Sequence, residues 1–171
     1  VHVTGGAHLT IDGCTFTANE GHGSGGALYV ASDGAVMVAG STFLDNTADS
    51  NGGAVYSLGS FDIDDCCFER NNASGTGGAI HHDSTSHVSV TDTLVRDNDG
   101  GVGGAGVYNA GRASAGTMTL TRCQFDFNVV GAAVGIQGGT VFNDTSTMVL
   151  EDCDFLTNSV SAGGKATALL N

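Results

Sequence analysis

Residues able to perform acid–base or metal chemistry are sparse in this chain, and few sit at useful spacings. Six histidines occur, His2, His8, His22, His81, His82 and His87, and only the last three cluster. Metal binding by His81, His82 and His87 has no established ligand spacing behind it. Asp83 beside His82 is the acid–histidine neighbour pair to examine. The five cysteines (Cys14, Cys66, Cys67, Cys123 and Cys153) contain no C-x-x-C pair, which argues against a zinc site. Carboxylates gather at Asp12, Asp64, Asp65, Asp92, Glu151 and Asp152. Oxygen-rich corners can take up Ca²⁺, and Asp64, Asp65 and Asp92 are weak candidates for it. The calcium nonapeptide of other solenoids is absent, so a solvated acidic edge is the plainer reading and no other cofactor is expected.

The charge balance narrows the partners. The formal net charge is −13, with only five Lys and Arg among 171 residues. Such a surface does not seek phosphate backbones, which disfavours nucleic acid and anionic membrane surfaces. No apolar run is long enough for a membrane-spanning helix, so no direct membrane insertion is expected. No signal-peptide pattern opens the chain, and Val1-His2-Val3 begins inside a repeat. The expectation is one domain, 1–171, forming a segment of a longer surface protein.

What positions these residues is a repeat of 25 to 30 residues. Phe-x-x-Asn recurs at Phe16–Asn19, Phe43–Asn46, Phe68–Asn71, Phe125–Asn128 and Phe155–Asn158, with a degenerate copy at Val95–Asn98. Gly-Gly-Ala-apolar follows at Gly25–Leu28, Gly52–Val55 and Gly77–Ile80, with weaker copies beginning at Gly103, Gly131 and Gly163. Before each Phe stands an alternating pair such as Leu9-x-Ile11, Val36-x-Val38 or Phe61-x-Ile63. Alternation marks short strands with one buried face, and two residues break it before each Phe. With 28 Gly and no Pro, the backbone turns often and keeps its amide donors. Three short strands per repeat, without a convincing amphipathic helix, predict an all-β fold: a right-handed parallel β-helix, or solenoid, of about six coils.

The alternation of Phe-x-x-Asn with Gly-Gly-Ala-apolar motifs resembles the repeats of chlamydial polymorphic outer membrane proteins. It covers nearly the whole chain. That family supplies autotransporter passenger domains, so the resemblance implies extracellular, cell-surface display and adhesion. Parallel β-helices also carry pectate lyases, polygalacturonases and epimerases, and fold alone does not choose between them and a scaffold. The strands Ala-Leu-Tyr-Val, Ala-Val-Tyr-Ser and Ala-Ile-His-His hold no carboxylate pair for glycoside hydrolysis, so no enzyme is expected.

Aligned on Phe and Asn, the repeats fall into columns. Asn19, Asn46, Asn71, Asn98, Asn128 and Asn158 form one, read as a structural ladder, because Asn tolerates the left-handed conformation at a turn and stacked side-chain amides can bond to one another. Phe16, Phe43, Phe68, Phe125 and Phe155 form another. Cys14, Cys66, Cys123 and Cys153 share the inward parity of these Phe, with Ser41 and Thr93 filling the gaps, and are read as mostly free, buried thiols. Arg70, Arg96 and Arg122 each fall between acids of the adjoining repeats, which assigns them structural ion pairs.

Two features point to recognition. Tyr29, Tyr56 and His81 share a column expected to form an exposed stripe, able to stack on sugar rings. The repeats lengthen at 109–116 and 138–147, where a binding surface could sit, and insertions in solenoids gather at one corner. Glycosylation sequons occur at Asn72 and Asn143, and Asn143 lies in the longer of these two stretches, read as a loop, where an acceptor should be. The expected function is therefore a structural or adhesive module, with a glycan- or receptor-binding module as the alternative. The expected partners are further β-helix coils, copies of the chain end to end, or a glycan or host receptor.

Overall fold

The computed structural model describes residues 1–110, 117–131, 138–161 and 168–170. The chain is all-β and winds as a parallel β-solenoid. Each coil holds four short strands rather than the three expected. In the second coil these are Leu28–Val30, Ala35–Ala39, Thr42–Leu44 and Thr47–Ala48. The fourth strand is two residues long, too short to show alternation, which is why the sequence pattern hides it.

Among the described residues, equivalent strands stack into four sheets, one of seven strands and three of six. All pairings are parallel and in register, so Phe16 faces Phe43, which faces Phe68. The first sheet contains Leu28–Val30, Val55–Ser57 and Ile80–His82. The second contains the long strands, among them His8–Asp12, Ala35–Ala39 and Ser60–Asp64. Right-handed winding follows from the twist that makes parallel crossovers right-handed.

The core is the inward half of every column. Val36, Phe61, Val88 and Met118 fill one column, Val38, Ile63, Val90 and Leu120 the next, all buried. Phe16, Phe43 and Phe68 stack at centroid spacings of 4.7 and 4.6 Å, and Phe125 stacks on Phe155 at 4.9 Å. Val95 takes the ring's place between Phe68 and Phe125.

The turns explain the motif residues. Asn is not itself left-handed: the residue before it is, at Ala18, Asp45, Arg70, Asp97, Phe127 and Thr157, with φ from 51 to 55°. This corrects the left-handed placement of Asn, while the expected bonding between stacked amides is present: each side chain points inward and bonds along the stack. Asn71, fully buried, donates through Nδ2 to the Phe43 carbonyl and to Asn98 Oδ1, both at 3.0 Å. Its Oδ1 accepts from the Asn46 backbone N–H at 3.1 Å and from Asn46 Nδ2 at 2.9 Å. The side-chain link repeats from Asn19 to Asn158.

Gly-Gly-Ala has a steric basis. Gly52 adopts φ 66°, which favours glycine. A Cβ on Gly53 would collide with the Gly78 carbonyl oxygen and lie 2.6 Å from the Asn72 carbonyl. The cysteine column has a different basis. Ser41 and Thr93 hydroxyls donate to the carbonyls two residues back at 2.7 and 2.8 Å. Cys66 makes the equivalent thiol contact to Asp64 at 3.1 Å. Cys66 and Cys123 are buried, Cys14 is exposed, Cys67 and Cys153 are intermediate, and all five thiols are free.

Candidate functional site

The outward column of the first sheet is a continuous ring stack: His2, Tyr29, Tyr56, His81, Tyr108 and Phe142. Parallel in-register pairing places each ring over the next. From Tyr29 to Phe142 the rings lie 4.8 to 5.4 Å apart and are nearly parallel. The stripe is therefore longer than Tyr29, Tyr56 and His81 alone, and His81 is buried rather than exposed, at 4 % of its accessible surface. The rings from Tyr56 to Tyr108 have stacked neighbours on both faces, so it is their edges that meet solvent. A sugar platform needs a free face, and this geometry favours cohesion between coils.

Polar groups anchor the stack. The Tyr56 hydroxyl donates to Asp83 at 3.3 Å and the Tyr108 hydroxyl to Asp144 at 3.4 Å. His81 Nδ1 and the Thr76 hydroxyl are 2.7 Å apart. Burial drives the His81 pKa down to about 4, against the opposing pull of the Asp83 carboxylate. Burial and Asp144 push the Tyr108 hydroxyl up to about 12. His82 points inward in the column of Val30, Ser57, Asn109 and Asn143; it is buried, burial lowers its pKa against the opposing pull of nearby backbone groups of Ser86, Ser57 and Ser84, and among the described residues neither ring nitrogen makes a well-formed hydrogen bond. His87 is exposed. His81 and His82 thus face opposite sides of their strand, and the histidines do not converge on one ion.

The second sheet carries a surface depression that sequence reasoning missed. Its outward residues Thr10, Asp12, Met37, Asp62, Asp64, Ser89 and Thr91 line an open depression of about 440 Å³. Met37 lines it and is 60 % exposed. The signal was available: Thr10, Met37, Asp62 and Ser89 occupy the odd parity of the alternating pairs, one coil apart.

The acidic corner is partly occupied by arginine. Arg122 forks onto Asp92 with contacts of 2.7 and 2.6 Å, and Arg70 onto Asp45 at 2.8 and 3.2 Å. Arg96 reaches Glu69 at 2.6 Å, and Glu69 also pairs with Arg70. Each of these arginines thus pairs with an acid of the preceding coil. Hydrogen bonding from Arg122 lowers the Asp92 pKa. Asp92 is thereby engaged, which weakens the Asp64, Asp65 and Asp92 reading for Ca²⁺. Among the described residues, the converging metal-ligand group is instead Glu20, His22 and Asp49. Its signal lay in the columns, since His22 and Asp49 both stand three residues after their Asn.

The sequons separate. Asn72 is exposed on the fourth sheet. Asn143 is buried in a strand of the first sheet, where its Nδ2 donates to the Ser146 carbonyl at 2.9 Å. A glycan on that nitrogen is incompatible with this packing, which corrects its placement in an open loop. Within the proposed recognition loops, residues 111–116 lie outside the described residues, as do the weaker glycine motifs at 132–134 and 163–166. The stretch 138–147 contains the strand Val141–Asn143, stacked on Val107–Asn109.

A family model for a right-handed β-helix region matches residues 1–125. The chain belongs to the right-handed β-helix family. No curated protein and no solved structure gave a match. This β-helix family includes enzymes such as pectate lyases as well as non-enzymes, so membership leaves the activity to the surface residues. No described helix is long and apolar enough to cross a membrane.

Proposed function

We propose that this β-helix is a non-enzymatic structural module, a rigid segment displayed outside the cell that holds and spaces other surfaces. The observation that carries the reading is the use made of its columns. The Asn ladder, the Phe stack and the aromatic stack all engage their neighbours along the stack axis. Of the clustered histidines, His81 is buried and stacked and His82 is buried and inward. The resemblance to chlamydial polymorphic outer membrane protein repeats supports cell-surface or extracellular display and an adhesive setting. Further β-helix coils, or copies end to end, are the natural partners of such a stack.

A second reading rests on the second sheet. Its depression combines carboxylates, hydroxyls and the exposed Met37 thioether, a set suited to a polyhydroxylated ligand such as a glycan. The test is incubation with a panel of neutral and uronate polysaccharides, followed for reducing ends and unsaturated products, alongside glycan-array binding. The structural reading expects no turnover and no binding lost on Asp62→Asn. Turnover abolished by Asp62→Asn or Asp64→Asn would replace it with an enzyme. Binding without turnover, lost on Met37→Ala, would establish the second reading.

A further inference from the structure

We propose that Glu20, His22 and Asp49 bind a divalent first-row transition-metal ion such as Zn²⁺ at the edge of the fourth sheet. Glu20 opens the strand Glu20–Gly21, which pairs with Thr47–Ala48. The register that sets Glu20 against Thr47 and Gly21 against Ala48 carries on to set His22 against Asp49. Backbone bonds fix this placement: Asp49 N–H donates to the Gly21 carbonyl at 3.0 Å, and Ser50 N–H to the Gly23 carbonyl at 2.9 Å. The ladder therefore holds the two ligand-bearing segments at a set separation before any ion arrives.

The side chains already converge. His22 Nδ1 lies 3.4 Å from Asp49 Oδ2 and 4.0 Å from Glu20 Oε1, and all three ligand atoms fall within 4.8 Å of one another. Donors bound at about 2.0–2.2 Å to one ion stand about 3–3.5 Å apart. The His22–Asp49 pair meets that spacing, and Glu20 needs only a small rotation of an exposed side chain. Arg70, Arg96 and Arg122 donate to Asp45, Glu69 and Asp92, not to these carboxylates. The donor set chooses the ion. One imidazole nitrogen with two carboxylates suits zinc and its first-row neighbours, whereas Ca²⁺ and Mg²⁺ prefer all-oxygen sets. Three protein ligands leave coordination positions open to water or to an anionic group of a partner.

The probe is Zn²⁺, titrated into the isotope-labelled chain and followed by the imidazole resonances, with Ca²⁺ as the contrast. Calorimetry supplies affinity and stoichiometry. The expected result is one Zn²⁺ per chain, a shift of the His22 ring nitrogens, and affinity lowered about tenfold or more in His22→Gln and in Asp49→Asn. All three side chains are exposed, so the variants should keep the parent circular dichroism. Zn²⁺ effects confined to the cysteines or to His81 would overturn the proposal. So would a Zn²⁺ response no stronger than that to Ca²⁺ and unchanged in His22→Gln, which would reveal diffuse attraction to an acidic surface.

Discussion

Replacing Asn71 by Ala tests whether the amide ladder holds the coils together. The side chain is fully buried and makes four hydrogen bonds. After truncation, Asn46 Nδ2 keeps the Phe16 carbonyl and Asn98 Oδ1 keeps the Asn71 backbone N–H. The Asn46 backbone N–H and the Phe43 carbonyl lose their side-chain partner. The stripped Asn46 N–H costs about 1–3 kcal/mol; the Phe43 carbonyl, which keeps its place in the strand ladder, costs less, and the vacated volume adds to both. The expected loss is about 4 kcal/mol, a large share of the roughly 5–15 kcal/mol that stabilises a typical domain. Asn72→Ala, one residue on and exposed, should change stability by no more than about 0.5 kcal/mol. The chain contains no Trp, so urea unfolding is best followed by far-UV circular dichroism. A difference between the two variants below about 1 kcal/mol would refute the claim that the ladder is a main source of cohesion.

Other perturbations address the turns, the titrating core and the thiols. Gly53→Ala should destabilise by about 3 kcal/mol, because its Cβ meets backbone of the next coil. Gly23→Ala, with nothing within 4 Å of its Cβ, should be nearly neutral in the same denaturation assay. The folded His81 pKa of about 4 lies below its unfolded value of about 6.5. The unfolded chain therefore binds the extra proton first, and stability falls as pH drops through that window. His81→Tyr, matching Tyr56 and Tyr108 in the column, should remove about 3 kcal/mol of that acid loss, seen as a smaller shift in urea midpoint between neutral and acid pH. His82, also lowered, would sustain the remaining slope. Iodoacetamide at about pH 8 should label exposed Cys14 well before Cys123, whose burial pushes its thiol to about 12; mass spectrometry of the peptides reads the order. Equal labelling would mean that the core opens readily.

The parts of the fold legible in the sequence are those where one residue type recurs at one corner. Phe, Asn and Gly-Gly-Ala marked the coils because ring stacking, amide bonding and backbone crowding each tolerate few side chains. The Arg–acid register was legible for the same reason, since charges of adjoining coils must face each other. The fourth strand was not, because two residues such as Thr47–Ala48 carry no period. Nor was the left-handed corner, which accepts Ala18, Asp45, Arg70 and Phe127 alike. Reading the outward parity at Tyr29 and Tyr56 was right, but parity carries no information about where a ring's face points. His81 was mistaken for an exposed group on that account. Asn143 was misplaced because a strand begins inside a stretch that looks like a loop. The site at His22 spans two coils and contains no local motif.

The amide ladder also has a direction. At every described rung the Nδ2 of one Asn donates to the Oδ1 of the Asn in the following coil. The side-chain dipoles therefore align head to tail along the long axis and polarise one another. A coil folding onto the C-terminal side meets a waiting donor, and one folding onto the N-terminal side meets a waiting acceptor. A coil docked upside down would set donor against donor. Growth of the stack is thus vectorial, each rung instructing the sense of the next, and a single missing amide divides one long electrical column into two shorter ones.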